Sequence, residues 1–122
     1  MSERALLSAM GALEAATGLA LLIIPTVLVG LLLGTAPDTA AGMTVSRVAG
    51  AALLALGIAC WFTREDRSRG LLAAMVIYNA AVVVVLFAGW IGSGLSGVAF
   101  WPAILVHAAL AFWCIVYLSP SR

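Results

Sequence analysis

The chain has 122 residues, of which 65% are hydrophobic and 9% charged, with a mean hydropathy of +1.19 and a formal net charge of +1 at pH 7. This composition excludes an ordinary soluble domain. The sequence also lacks the basic tract that a nucleic-acid-binding protein would need. It therefore predicts an integral membrane protein.

Four apolar segments are long enough to cross a bilayer, whose hydrocarbon core of about 30 Å requires roughly 20 residues of helix. They cover about residues 5–24, 43–62, 70–91 and 99–118. Pro25 ends the first segment because proline lacks a backbone donor, whereas Pro102 falls in the first turn of the fourth, where it is tolerated. We predict an all-α fold, an integral membrane four-helix bundle that forms one domain over residues 1–122.

The first segment is interpreted as a membrane helix and not as a cleaved signal peptide. Its apolar run continues to Leu33, it contains Glu14, and no cluster of basic residues precedes it. Residues 25–34 are too short to span the bilayer, so we expect a short helix at the membrane interface, followed by a loop over residues 35–42.

The arginines predict the orientation, because the chain contains no lysine. The loops at about 25–42 and 92–98 hold no arginine and only one charged residue, Asp38. Cytoplasmic loops of membrane proteins are enriched in arginine and lysine. Both termini are therefore expected in the cytoplasm, together with the loop between the second and third segments. The arginines of that side are Arg4, Arg64, Arg67, Arg69 and Arg122.

Each segment contains one polar side chain that hydrocarbon disfavours: Glu14, Arg47, Asn79 and His107. At a rise of 1.5 Å per residue, Glu14 and Asn79 lie about 14 Å from the cytoplasmic start of their helices, and His107 about 12 Å from the opposite side. We expect these three near the bilayer midplane, facing protein. Arg47 is shallower, about one turn from the outer end, where it could bind a headgroup, anchor a helix end or pair with Glu14.

The four polar residues are the candidate ligand- or proton-binding residues. A carboxyl group in hydrocarbon favours its neutral form, which makes Glu14 a candidate proton or cation site. Asn79 and His107 could instead serve only to form hydrogen bonds between helices. No catalytic residue, metal ligand set or cofactor is predicted: the sequence has no CxxC motif, no glycine-rich phosphate loop and a single histidine. Cys60 and Cys114 are interpreted as small packing residues.

Residues 13–22, LEAATGLALL, resemble the Glu-x-x-x-Gly-Leu-x-Leu-Leu pattern of DoxX-like small four-helix bacterial membrane proteins. Residues 47–61 are similar to uncharacterised bacterial inner-membrane proteins of this size. Both resemblances imply the fold and a location in a bacterial inner membrane, and neither implies a function. A Glu in the first of four short helices is also a feature of small multidrug resistance transporters, and only Glu14 corresponds to that family.

Three functions remain open from the sequence. The first is a non-catalytic accessory or structural subunit, in which the polar residues fix the helices and the protein binds a larger membrane partner. The second is a homo-oligomeric proton-coupled transporter or ligand-binding protein that uses Glu14. The third is a membrane enzyme with Glu14 and His107 as acid and base, although no nucleophile motif accompanies them.

Overall fold

The structure, a computed structural model, describes residues 2–66 and 68–120. Within these residues it contains five helices and no strand. Four of the helices, with 19 to 25 residues each, are long and apolar enough to cross a membrane, which confirms the predicted all-helical class with four long apolar segments. The helices are α1 (Glu3–Ile23), α2 (Pro25–Leu33), α3 (Ala40–Phe62), α4 (Arg69–Ser93) and α5 (Phe100–Leu118).

The helix boundaries differ from the predicted ones by up to three residues because side chains outside the apolar runs cap the helices. Thr39 Oγ1 accepts a hydrogen bond from Gly42 N at 2.9 Å, so α3 begins at Ala40 and not at residue 43. Ser2 and Ser68 cap α1 and α4 in the same way. Gly94, in the left-handed conformation with φ 65°, ends α4.

The contact between α1 and α3 is made by glycines. Gly11 and Gly18 of α1 and Gly50 and Gly57 of α3 are all buried. A Cβ atom on Gly57 would lie 2.5 Å from the backbone nitrogen of Ala15, and one on Gly18 would lie 2.5 Å from that of Leu54. The two backbones therefore approach more closely than any side chain at these positions would allow.

Helix α2 is joined to the connection between α4 and α5. Backbone N–H groups of Ser96, Gly97 and Ala99 donate to the carbonyls of Leu33, Leu32 and Leu31, at 3.0, 3.1 and 2.9 Å. These are carbonyls of the last turn, which have no partner inside a helix. The connection between α4 and α5 thus supplies hydrogen-bond donors to the carbonyls that the end of α2 leaves free. The interfacial position predicted for residues 25–34 stays a prediction.

The main core lies between the pair α1/α3 and the pair α4/α5, at the end of the bundle that contains the start of α1. Helix α1 packs most extensively against α3, and α4 against α5. The core that joins the two pairs consists of larger side chains, four of which carry sulfur. Its buried members are Leu6, Leu7, Met10, Cys60, Leu72, Met75, Leu110 and Cys114.

Candidate functional site

Glu14 faces protein, as the sequence predicts for a carboxyl group expected near the bilayer midplane. It lies one turn beyond the core residue Met10, and its side chain is only 1% exposed. The hydroxyl of Tyr78, on α4, donates a hydrogen bond to Glu14 Oε2 at 2.8 Å. This bond links the α1/α3 pair to the α4/α5 pair.

The second oxygen of the Glu14 carboxyl has no partner. Glu14 Oε1 is buried and makes no hydrogen bond to any residue that the structure describes. Leaving a buried polar atom unsatisfied costs about 1 to 3 kcal/mol, and more when the group is charged. The cost is therefore larger for an ionised Glu14 than for a neutral one.

Asn79 and His107 form a second hydrogen-bonded pair. Asn79 is fully buried, and its Nδ2 donates to the carbonyl of Met75 at 2.8 Å. Because a carbonyl can only accept, this bond fixes the amide with Oδ1 toward His107 Nδ1, 2.7 Å away. His107 Nδ1 must then carry a hydrogen, and in the neutral ring Nε2 is the acceptor. The pair connects α4 to α5.

The two pairs lie side by side. Tyr78 and Asn79 are consecutive on α4, and the rings of Tyr78 and His107 meet edge to face with centroids 5.7 Å apart. Three of the four predicted residues, Glu14, Asn79 and His107, are thus brought together, and Tyr78 joins them. We call these four residues the polar cluster.

Arg47 does not belong to the polar cluster. It is exposed, and its Nε donates to the carbonyl of Leu22 at 3.3 Å. That carbonyl lies at the break before Pro25, where the regular helical bonds stop. Leu22 is eight residues from Glu14, which corresponds to about 12 Å along the helix. Arg47 therefore contacts the end of α1, one of the three roles considered for it, and does not pair with the Glu14 carboxyl.

The remaining described arginines gather at one end of the bundle. Arg4 pairs with Glu65 at 3.0 Å, and Arg69 donates to the carbonyl of Leu118 at 2.8 Å. Arg64 lies over the ring of Trp61. The start of α1, the α3–α4 connection and the end of α5 thus meet. Arg67 and Arg122, also used in predicting orientation, lie outside the described residues.

The two cysteines are buried and unpaired with each other. Cys114 Sγ lies 3.7 Å from Met10 Sδ, within the core. Among the residues in the described part of the chain, no group of three or more His, Cys, Asp and Glu side chains is placed to hold a metal ion.

A groove opens on the outer side of the α1/α3 contact. Its lining is apolar, with small residues along the floor and aromatic rings at one end. We call it the α1–α3 groove. It is lined by Gly11, Ala12, Ala15, Gly57, Ile58, Trp61 and Phe62.

Further exposed alanines lie on both helices. Ala16 shares the exposed face of α1 with Ala12, and Ala51, Ala55 and Ala59 follow one face of α3 at four-residue spacing, all exposed. The glycine faces of α1 and α3 are used within the chain, whereas these alanine faces are not.

Comparison with known protein families, curated proteins and solved structures finds no match for the chain. The resemblance of residues 13–22 to DoxX-like proteins thus stays a likeness of ten residues.

Proposed function

We propose that the chain is a small non-catalytic integral membrane protein that acts as an accessory or structural subunit of a larger membrane assembly. Its partner would be an apolar transmembrane helix that packs in the α1–α3 groove. The observation that carries this proposal is the groove itself: glycines and alanines of two neighbouring helices line it, so that a third backbone could approach closely.

The physical reason is that lipid gives no hydrophobic driving force for helix association. Transmembrane helices associate through close packing and hydrogen bonds, and their contacts are enriched in glycine, alanine and serine. A groove lined by glycine and alanine therefore favours packing of another helix over packing of lipid chains. A second groove, on α4, differs from the α1–α3 groove in the size of its lining residues. Most of them are large: Val83, Val84, Phe87 and Ile91.

The polar cluster supports a structural role as well. Its hydrogen bonds join α1 to α4 and α4 to α5, and interhelical bonds of this kind in membranes contribute roughly 0.6 to 2 kcal/mol each. They hold the two helix pairs in one arrangement.

A photo-reactive residue at position 55 tests the groove. Ala55 is exposed and lies one turn before Ile58, which lines the groove, and Ala109, on α5, is another exposed alanine that serves as the matched control. We expect irradiation of cells to cross-link position 55 to one other polypeptide, and position 109 to give much less. Cross-links at 55 no stronger than at 109, or only to a second copy of the chain, would contradict an accessory role.

We further propose that both termini and the α3–α4 connection face the cytoplasm of a bacterial inner membrane. The support is the group of arginines at that end and the positive-inside bias. Reporter fusions at Arg122 and at Thr39 are expected to report opposite compartments. The same compartment for both would reject this topology.

A further inference from the structure

Glu14 is the one place in the described residues where a buried side-chain oxygen has no hydrogen-bond partner. We propose that Glu14 and Tyr78 form a proton-binding site inside the membrane, at which the Glu14 carboxyl takes up a proton from water and releases it again. This site is independent of the accessory role proposed above.

The two oxygens of the Glu14 carboxyl differ: Oε2 accepts a hydrogen bond, and Oε1 is available to bind a proton. Tyr78 supplies the hydrogen bond at Oε2, 2.8 Å away. An ionised Glu14 would leave Oε1 as a buried negative atom without a donor or a cation, an arrangement that costs several kcal/mol in a low-dielectric interior. A proton bound at Oε1 removes that charge without requiring any movement of the helices.

Among the residues that the structure describes, no basic side chain is placed to supply a permanent counter-charge to Glu14. Arg47 donates to the carbonyl of Leu22, about two turns away. The titratable groups around Glu14 are Cys60 from α3, Tyr78 from α4, and His107 and Cys114 from α5, while α2 contains none. Of these, only His107 has a side chain that can carry a positive charge.

Proton exchange also requires a proton acceptor near the carboxyl, and His107 lies beside Tyr78 on the side of α5. His107 is only partly buried, in contrast to Glu14 and Asn79. Asn79 holds the ring with a hydrogen on Nδ1, so Nε2 of the neutral ring can accept a proton. On release, the O–H bond of Glu14 breaks and an N–H bond forms on His107 or an O–H bond on water, with Tyr78 between the carboxyl and the imidazole.

Infrared spectroscopy of the purified protein in lipid bilayers tests the proposal. A protonated carboxyl group has a carbonyl band separate from the amide bands, and this band moves to lower frequency when the proton exchanges for deuterium. We expect one such band at neutral pH, a shift in D₂O, and a loss of intensity as pH rises. Glu14→Gln should abolish the band, whereas the matched control Glu3→Gln at the start of α1 should keep it.

Two further measurements keep the result interpretable if Glu14→Gln fails to fold. Carboxyl-¹³C labelling of glutamate should shift the band in the unmodified protein, and Tyr78→Phe should move its frequency because the bond to Oε2 is lost. A missing band at every pH would show a permanent carboxylate and overturn the proposal. A band that neither shifts in D₂O nor falls with rising pH would show a permanently neutral packing group, and would overturn it as well.

Discussion

The two contacts of α1 are built in opposite ways. Against α3, α1 presents glycines, and the backbones approach so closely that an added Cβ would overlap the neighbouring chain. Toward α4 and α5, α1 presents long side chains and Glu14, which is hydrogen-bonded to Tyr78. In lipid, close packing and polar bonds are the available sources of helix association, and this chain uses each on a different side of one helix.

The comparison predicts that added volume is most damaging at the glycine contact. Gly57→Val should destabilise the protein by about 3 kcal/mol, because its Cβ would lie 2.5 Å from the backbone of Ala15 and neither helix can move away alone. Gly92→Ala on α4 is the control, since nothing lies within 4 Å of its Cβ. Thermal unfolding in detergent should separate the two variants, and equal midpoints would show that α1 and α3 are not in close contact.

At the polar contact the expected loss is smaller. Asn79→Leu removes the partner of His107 Nδ1 and should cost about 1 to 2 kcal/mol. Ala80→Leu, at the next position and exposed, should leave stability nearly unchanged. The same unfolding measurement applies, and a neutral Asn79→Leu would show that the amide contributes nothing to the contact between α4 and α5.

Tyr78→Phe should cost about 1 kcal/mol, because it removes one hydroxyl and leaves the ring contact with His107 in place. A double-mutant cycle with Glu14→Gln measures how much of this cost comes from the bond between the two side chains. We expect the two changes to be non-additive. Additive effects would place Tyr78 and Glu14 in separate environments.

The smallest effect is expected at Arg47. Arg47→Gln removes an exposed donor to the Leu22 carbonyl and should cost about 0.5 kcal/mol. Had Arg47 and Glu14 formed a buried ion pair, removing one partner would cost about 3 to 5 kcal/mol. The free energies of unfolding of Arg47→Gln, Glu14→Gln and the double variant distinguish these cases. Additive losses support the observed separation of the two side chains, and strongly coupled losses contradict it.

The sequence predicted the four long helices and the common level of Glu14, Asn79 and His107, because helix rise converts residue number directly into depth. It did not predict Tyr78 as the partner of Glu14, because depth does not determine which way each helix is rotated. The position of Tyr78 next to Asn79 in the sequence was the one feature that could have indicated this contact. The position of Arg47 depends on the free carbonyl before Pro25, a feature of the break that apolar periodicity does not reveal.

The contact between Glu14 and Tyr78 is the most direct test of how the two helix pairs are joined. Solid-state NMR in bilayers, with ¹³C in the carboxyl groups of glutamate and at the hydroxyl-bearing ring carbon of tyrosine, measures it with only two tyrosines in the chain. We predict a through-space cross-peak between a glutamate carboxyl and a tyrosine ring that disappears in both Tyr78→Phe and Glu14→Gln. Absence of that cross-peak in the unmodified protein, or its persistence in either variant, would contradict the arrangement.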